Sequence, residues 1–234
     1  MSMCGSLVEA PQLSFEQGLE DQEVVWGQSV TLQCTVYGAP QVEKHSLQII
    51  IASISWFHRG RRVMMHPGAA VEGALPMKRI GSGLVESRLH IPCVNGRSVG
   101  EYMCEASTPC GQAITSHAKL TLANSSRGKV CNATVNHAPW ISLITVSRLE
   151  LVGTPVQMMC RAKGKPLPEI KWQRITDDDE LEDIDGEPGY MSLSNGDLLV
   201  VGEDSTVTES FRCTATNVHG TTFADSIVVY VDED

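Results

Sequence analysis

An all-β chain of two tandem sandwiches is predicted by two observations. Cys34, Trp56 and Cys104 recur in the same order as Cys160, Trp172 and Cys213. Around both sets, apolar residues alternate with polar ones at the period of two that marks half-buried strands. The 234 residues allow two domains of about 100 residues each.

The Cys…Trp…Cys order is the signature of an immunoglobulin sandwich. Two cysteines join the B and F strands of opposite sheets there, and a strand C tryptophan packs on the bridge. The first domain is assigned to residues 12–123. Strand B is Ser29–Val36, with Val30, Leu32 and Cys34 inward. Ile54 and Trp56 share the inward parity of strand C, and strand E is Val85–Ile91. Strand F is Gly100–Ala106, where Tyr102 stands two residues before Cys104, the position of the tyrosine corner. Strand G alternates from Ala113 to Leu122.

The second domain is assigned to residues 137–232. Val156, Met158 and Cys160 alternate on strand B, and Ile170 and Trp172 on strand C. Asn195-Gly196-Asp197 signals a turn before Leu198 and Val200 of strand E, and Asn217–Gly220 a tight F–G turn. Phe211 takes the corner position, so packing alone holds that corner. Residues 124–136 form a polar linker with two N-x-S/T sequons, at Asn124 and Asn132, candidate glycosylation sites.

Eight cysteines without a C-x-x-C pair point to an oxidising, extracellular setting. Beyond Cys34–Cys104 and Cys160–Cys213, four remain. The N-terminal segment and the F–G loop lie at one end of such a sandwich, and the E–F loop and the exit of strand G at the other. Cys4–Cys110 and Cys93–Cys131 are therefore the expected bridges, since Cys93–Cys110 would exceed the ~7 Å Cα limit. Free or intermolecular cysteines are the alternative, chiefly for Cys4.

No apolar run reaches the ~20 residues of a membrane span. Met1–Ala10 lacks the basic and apolar regions of a signal peptide, so the sequence reads as the mature chain of a secreted protein. Residues 1–125 carry 9 Lys+Arg against 10 Asp+Glu, and residues 126–234 carry 9 against 18. The second domain would repel phosphates, which argues against nucleic acid. The seven histidines are scattered singly, and no cofactor-binding, metal-binding or catalytic motif is present. Gly81-Ser82-Gly83 is a nucleophile turn only in appearance. The chain reads as a binding protein and not an enzyme.

Three segments are candidates for binding. Cys34 and Trp56 stand 22 residues apart, against 12 for Cys160 and Trp172. The extra residues include Leu47, Ile49, Ile50 and Ile51, which alternation cannot bury together. They form either a lengthened strand C or an exposed apolar surface for a partner. Arg59-Gly60-Arg61-Arg62 with Met64 and Met65 is either a solvated hairpin turn or a contact for a heparan-type glycan or acidic partner. In Asp177–Glu187, eight of eleven residues are acidic. The position of Gly186 fits a calcium loop poorly, which leaves solvated disorder or steering of a basic ligand.

Three stretches carry a family resemblance: Cys160-x-Ala162-x-Gly164-x-Pro166-x-Pro168-x-Ile170-x-Trp172, Ser194–Leu199, and Cys213-x-Ala215-x-Asn217-x-x-Gly220. They resemble an I-set immunoglobulin domain. With Phe223-Ala224-Asp225 and Asp232-Glu233-Asp234, the chain resembles the invertebrate secreted two-immunoglobulin proteins, namely the insect imaginal morphogenesis protein-late class and the nematode zwei-Ig proteins. The resemblance is strong over residues 150–234 and weaker over the first domain. It implies a secreted protein that sequesters an insulin-like peptide and dampens insulin signalling. The nematode members imply instead an extracellular interaction protein that maintains axon position without a hormone ligand. Homophilic adhesion is a third reading. No family contact residue carries over, because the first domain is where the chain diverges.

Overall fold

The computed structural model describes residues 12–39, 53–66, 82–107, 113–123, 131, 136–201 and 205–232. Cys4, Cys110, Leu47, Ile49, Ile50, Ile51, Asn124 and Asn132 lie outside them. Among the described residues every regular element is a strand, and no helix is long and apolar enough to cross a membrane.

The N-terminal sandwich is built from β1 (Gln12–Gln17), β2 (Gln22–Val24), β3 (Val30–Ala39), β4 (Ser53–His58), β5 (Arg61–His66), β6 (Ser82–Ile91), β7 (Gly100–Ser107) and β8 (Ala113–Leu122). One sheet has the order β2-β8-β7-β4-β5 and faces β1-β3-β6. Inward residues of both layers meet as alternation requires: Leu32, Cys34 and Val36 from β3, Ile54 and Trp56 from β4, and Tyr102, Cys104 and Ala106 from β7 are all buried. Tyr102 Oη donates to the Ser98 carbonyl at 2.6 Å, which ties the turn before β7 to its own strand.

The C-terminal sandwich contains β9 (His137–Leu151), β10 (Val156–Met158), β11 (Cys160–Lys165), β12 (Glu169–Ile175), β13 (Leu181–Asp183), β14 (Tyr190–Ser192), β15 (Leu198–Val200), β16 (Thr208–Asn217) and β17 (Gly220–Val231). Trp172 lies directly across from Cys213 on the next strand, as Trp56 does from Cys104. Phe211 is fully buried and meets the Tyr190 ring edge-on at 5.8 Å.

The sandwiches are not two beads on a linker. β6 pairs antiparallel with β9 from Ser82↔Leu149 to Ser87↔Leu143. On its other edge β9 pairs first with β11 and then, in parallel, with β17. One nine-stranded sheet, β1-β3-β6-β9-β17-β16-β12-β13 with β11 joined to β9, therefore runs through both halves. The cores interlock along it. Leu143 and Met159 are buried with the N-terminal core, whereas Ile141 and Ile144 are buried with the C-terminal one. Trp56 Nε1 donates to Ser87 Oγ at 2.8 Å, and Ser87 Oγ donates to the Ser142 carbonyl at 3.2 Å. A polar thread thus runs from one core tryptophan to the other half's first strand. The pairing also covers two sheet edges whose backbone groups would otherwise stand open.

The acidic run differs from the disorder expected of it. β13 pairs with β12, Ile184 is buried, and Lys171 and Arg174 pair with Asp183 and Glu182. Ile184 supplies the apolar anchor, and the basic residues of β12 offset the charge.

Candidate binding surfaces

Three disulfides are present among the described residues: Cys34–Cys104, Cys93–Cys131 and Cys160–Cys213. The first and third cross the two sandwiches. The second fastens Cys131 to the turn after β6, beside the fused sheet.

Arg59 and Gly60 both take positive φ, 49° and 73°, and make the two-residue turn between β4 and β5. Arg59 is committed to this turn, with its guanidinium donating to the Val99 carbonyl at 2.7 and 3.1 Å. Arg61 and Arg62 project from β5 into solvent, and no carboxylate among the described residues pairs with either. The two methionines part company. Met64 is buried in the core across from Trp56, and only Met65 is exposed, its Sδ within 3.4 Å of Arg62 Nη1. Strand alternation is the reason, so Met64 drops out as a surface contact.

The surface that sequence reasoning missed is the outer face of the fused sheet. Laterally paired residues share a face. One row across the sheet reads Tyr37, Leu84, Ser147, Ile227, Ser210 and Ile175. The next reads Ser82, Leu149, Val229 and Thr208. Leu149 keeps 43 % and Ile227 42 % of its surface in solvent. The half-buried Leu84 and Val229 join them into an apolar strip that spans the junction. Phe223, further along β17, is also exposed and is capped by the Arg212 guanidinium at 4.2 Å from its ring. Arg212 is held there by Asp225, at 2.7 and 2.8 Å. The signal in the sequence is the unbroken run Ile227–Val231, which puts apolar residues on both parities.

No group of His, Cys, Asp and Glu among the described residues could hold a metal ion. The buried charges are structural: Asp197 is bound by Arg161, Gln157 and the Cys160 N–H, and Arg148 by Glu150.

The immunoglobulin I-set domain family matches residues 13–122. The fold is that of two tandem immunoglobulin sandwiches. The match falls on the half whose sequence motifs were the weaker. Over 218 residues the immunoglobulin chain is 29% identical to zwei Ig domain protein zig-3 of Caenorhabditis elegans, covering 92% of this chain and 79% of that protein. Zwei Ig domain protein zig-2 of the same organism is 28% identical over 222 residues, covering 94% and 85%. The crystal structure of neural ectodermal development factor IMP-L2 superposes with a TM-score of 0.66 at 23% identity, covering 95% of each chain, and shows the same fold. The chain resembles the invertebrate two-immunoglobulin proteins. These likenesses support an immunoglobulin-domain extracellular protein that binds protein ligands, not an enzyme.

Proposed function

We propose that the protein is secreted and sequesters an insulin-like peptide on the outer face of its fused sheet, thereby modulating insulin signalling. The apolar strip of Leu84, Leu149, Ile227 and Val229 carries this reading. Contiguous exposed apolar surface on a soluble domain marks an interaction site, and the apolar receptor-binding surface of an insulin-like hormone is its complement. Both halves contribute to the strip, so the fused sheet makes one surface of two small ones. Calorimetry against a panel of insulin-like peptides tests the reading. Binding should weaken at least about tenfold in Ile227→Asp and Leu149→Asp. No binding at tens of micromolar would sink it.

A second reading rests on Arg61 and Arg62, which project from an exposed hairpin without a carboxylate partner among the described residues. They suit a heparan-type glycan, and with it an extracellular role in maintaining axon or neuronal position without a hormone. Its sign is salt-sensitive retention on heparin. If Arg61→Glu/Arg62→Glu elutes unchanged, that contact is wrong.

A further inference from the structure

A groove of about 710 Å³ lies where the end of β6 meets the start of β9 and the turn between β11 and β12. Trp140 lines it. Lys163 Nζ stands 5.9 Å from the center of the Trp140 ring, and the tilted His90 ring 5.8 Å from it. Lys165, His137 and Leu167 complete the polar and apolar lining.

The rim is built rather than incidental. Asn217 Nδ2 donates to the His137 carbonyl at 3.0 Å and to the Pro166 carbonyl at 2.9 Å. One amide thus ties the turn after β16, the turn after β11 and the start of β9 together. Gly164 makes the fit possible, since a Cβ there would lie 3.0 Å from Asn217 Nδ2 and 3.1 Å from Pro139 Cα. Leu167 and Val218, on two of these tied turns, are each 83 % exposed.

The charge is out of keeping with the chain. Residues 126–234 hold twice as many acidic as basic residues, 18 against 9. Yet the groove gathers Lys163, Lys165, His90 and His137, and none of the described residues that line it is a carboxylate. Neither lysine has an ion-pair partner among the described residues. Burial holds the Lys163 ammonium below the ordinary lysine value, and burial followed by the facing His137 does the same to His90. The Lys163 ammonium is thus partly dehydrated, and among the described residues neither it nor Lys165 has a carboxylate beside it, so an arriving carboxylate would find charge-assisted partners.

We propose that this groove is a second binding site, for an acidic segment of a partner protein that carries one large apolar side chain. Its carboxylates pair with Lys163 and Lys165, and its apolar side chain lies between Trp140 and Leu167. The site does not use the outer face of the sheet.

A synthetic array of short peptides tests it, combining Asp or Glu with Leu, Phe or Trp, against matched peptides with Ser or Lys in place of the acids. The acidic apolar peptides should bind selectively and weaken with salt. Lys163→Glu/Lys165→Glu should weaken them by about tenfold or more. Leu167→Ser should lose the preference for the apolar residue. The proposal is overturned if acidic peptides bind no better than the Ser-matched controls, or if the lysine variant binds them unchanged. It is also overturned if the lysine variant instead abolishes heparin retention or self-association while no peptide binds. Insulin-like peptides bound at the sheet should be indifferent to the lysine variant, so the two sites fail separately.

Discussion

Asp197 shows how far one side chain can organise a sandwich. It is fully buried, and it accepts from the Cys160 N–H at 3.2 Å, Gln157 Nε2 at 2.7 Å, Asn195 Nδ2 at 3.1 Å and both Arg161 Nη groups, one at 2.9 Å. The carboxylate thereby holds the turn before β15 against the half-cystine of β11. Asp197→Ala would leave the Arg161 guanidinium and a backbone N–H without their acceptor. Removing one partner of a buried pair costs about 3–5 kcal/mol, and the urea midpoint should fall accordingly. The neighbouring Gly196 is equally constrained. Its φ is +91°, and an added Cβ would lie 2.6 Å from Ile170 Cδ1 and 2.9 Å from the Cys160 carbonyl. Gly196→Ala should therefore cost about 1–3 kcal/mol in the same measurement, by strain rather than by loss of a bond. Its carbonyl also accepts from Trp172 Nε1 at 2.9 Å, which links the turn to the central tryptophan.

Among the elements, β9 decides the architecture. Gly83 of β6 lies across from Arg148, and a Cβ there would come within 2.8 Å of both the Arg148 side chain and the Ser147 carbonyl. Gly83→Val should force β6 away from β9. Amide exchange should accelerate over Ser82–Ser87 and Leu143–Leu149, whereas Gly38→Ala, whose Cβ would make ordinary contact with Leu13, should leave it unchanged. Unchanged exchange in Gly83→Val would mean that the pairing tolerates the bulk. The Cys93–Cys131 bridge closes a loop with a sequence separation of 38 beside this seam. Its removal should lower stability by up to about 4 kcal/mol, read as a lower thermal midpoint. The sandwiches themselves were legible because Cys, Trp and alternating residues report local, two-faced burial. The Tyr102 corner was legible for the same reason. The fused sheet was not, because pairing β6 with β9 depends on register between segments more than fifty residues apart. The hint lay in Pro139–Val146, an almost continuous apolar run that a strand with only one buried face does not need. The ordered acidic strand was hidden by its composition, since Ile184 is the single residue of that run buried in the core. The outer-face strip depends on the fused sheet, so no reading of either half alone would place Leu84 of β6 beside Leu149 and Ile227.

For the whole molecule, the junction carries a built-in sensitivity to acid. His66 ends β5, is only 5 % exposed, and its Nε2 has no hydrogen-bond partner among the described residues. Burial, and then the Lys163 and Arg161 cations of the other half, hold its imidazole down to about 4, against a weaker opposing contact with the Ser142 backbone. Between pH 6.5 and about 4 the unfolded chain therefore binds a proton that the folded chain refuses. Stability is full above pH 6.5 and declines as pH falls through this window, by about 3 kcal/mol for a shift of this size. His90, at the neighbouring groove, is shifted in the same direction and adds to the slope. Urea midpoints at pH 7 and pH 5 should differ in the native chain, and His66→Gln should narrow the difference because glutamine does not titrate. Equal midpoints at the two pH values in the native chain would refute the assignment. The same titration places a third positive charge beside Lys163 and Arg161, so acid acts on the contact between the two halves and not on either core. Loss of the β6–β9 amide protection before that of β7 or β16, as pH is lowered, is the order of events this geometry requires.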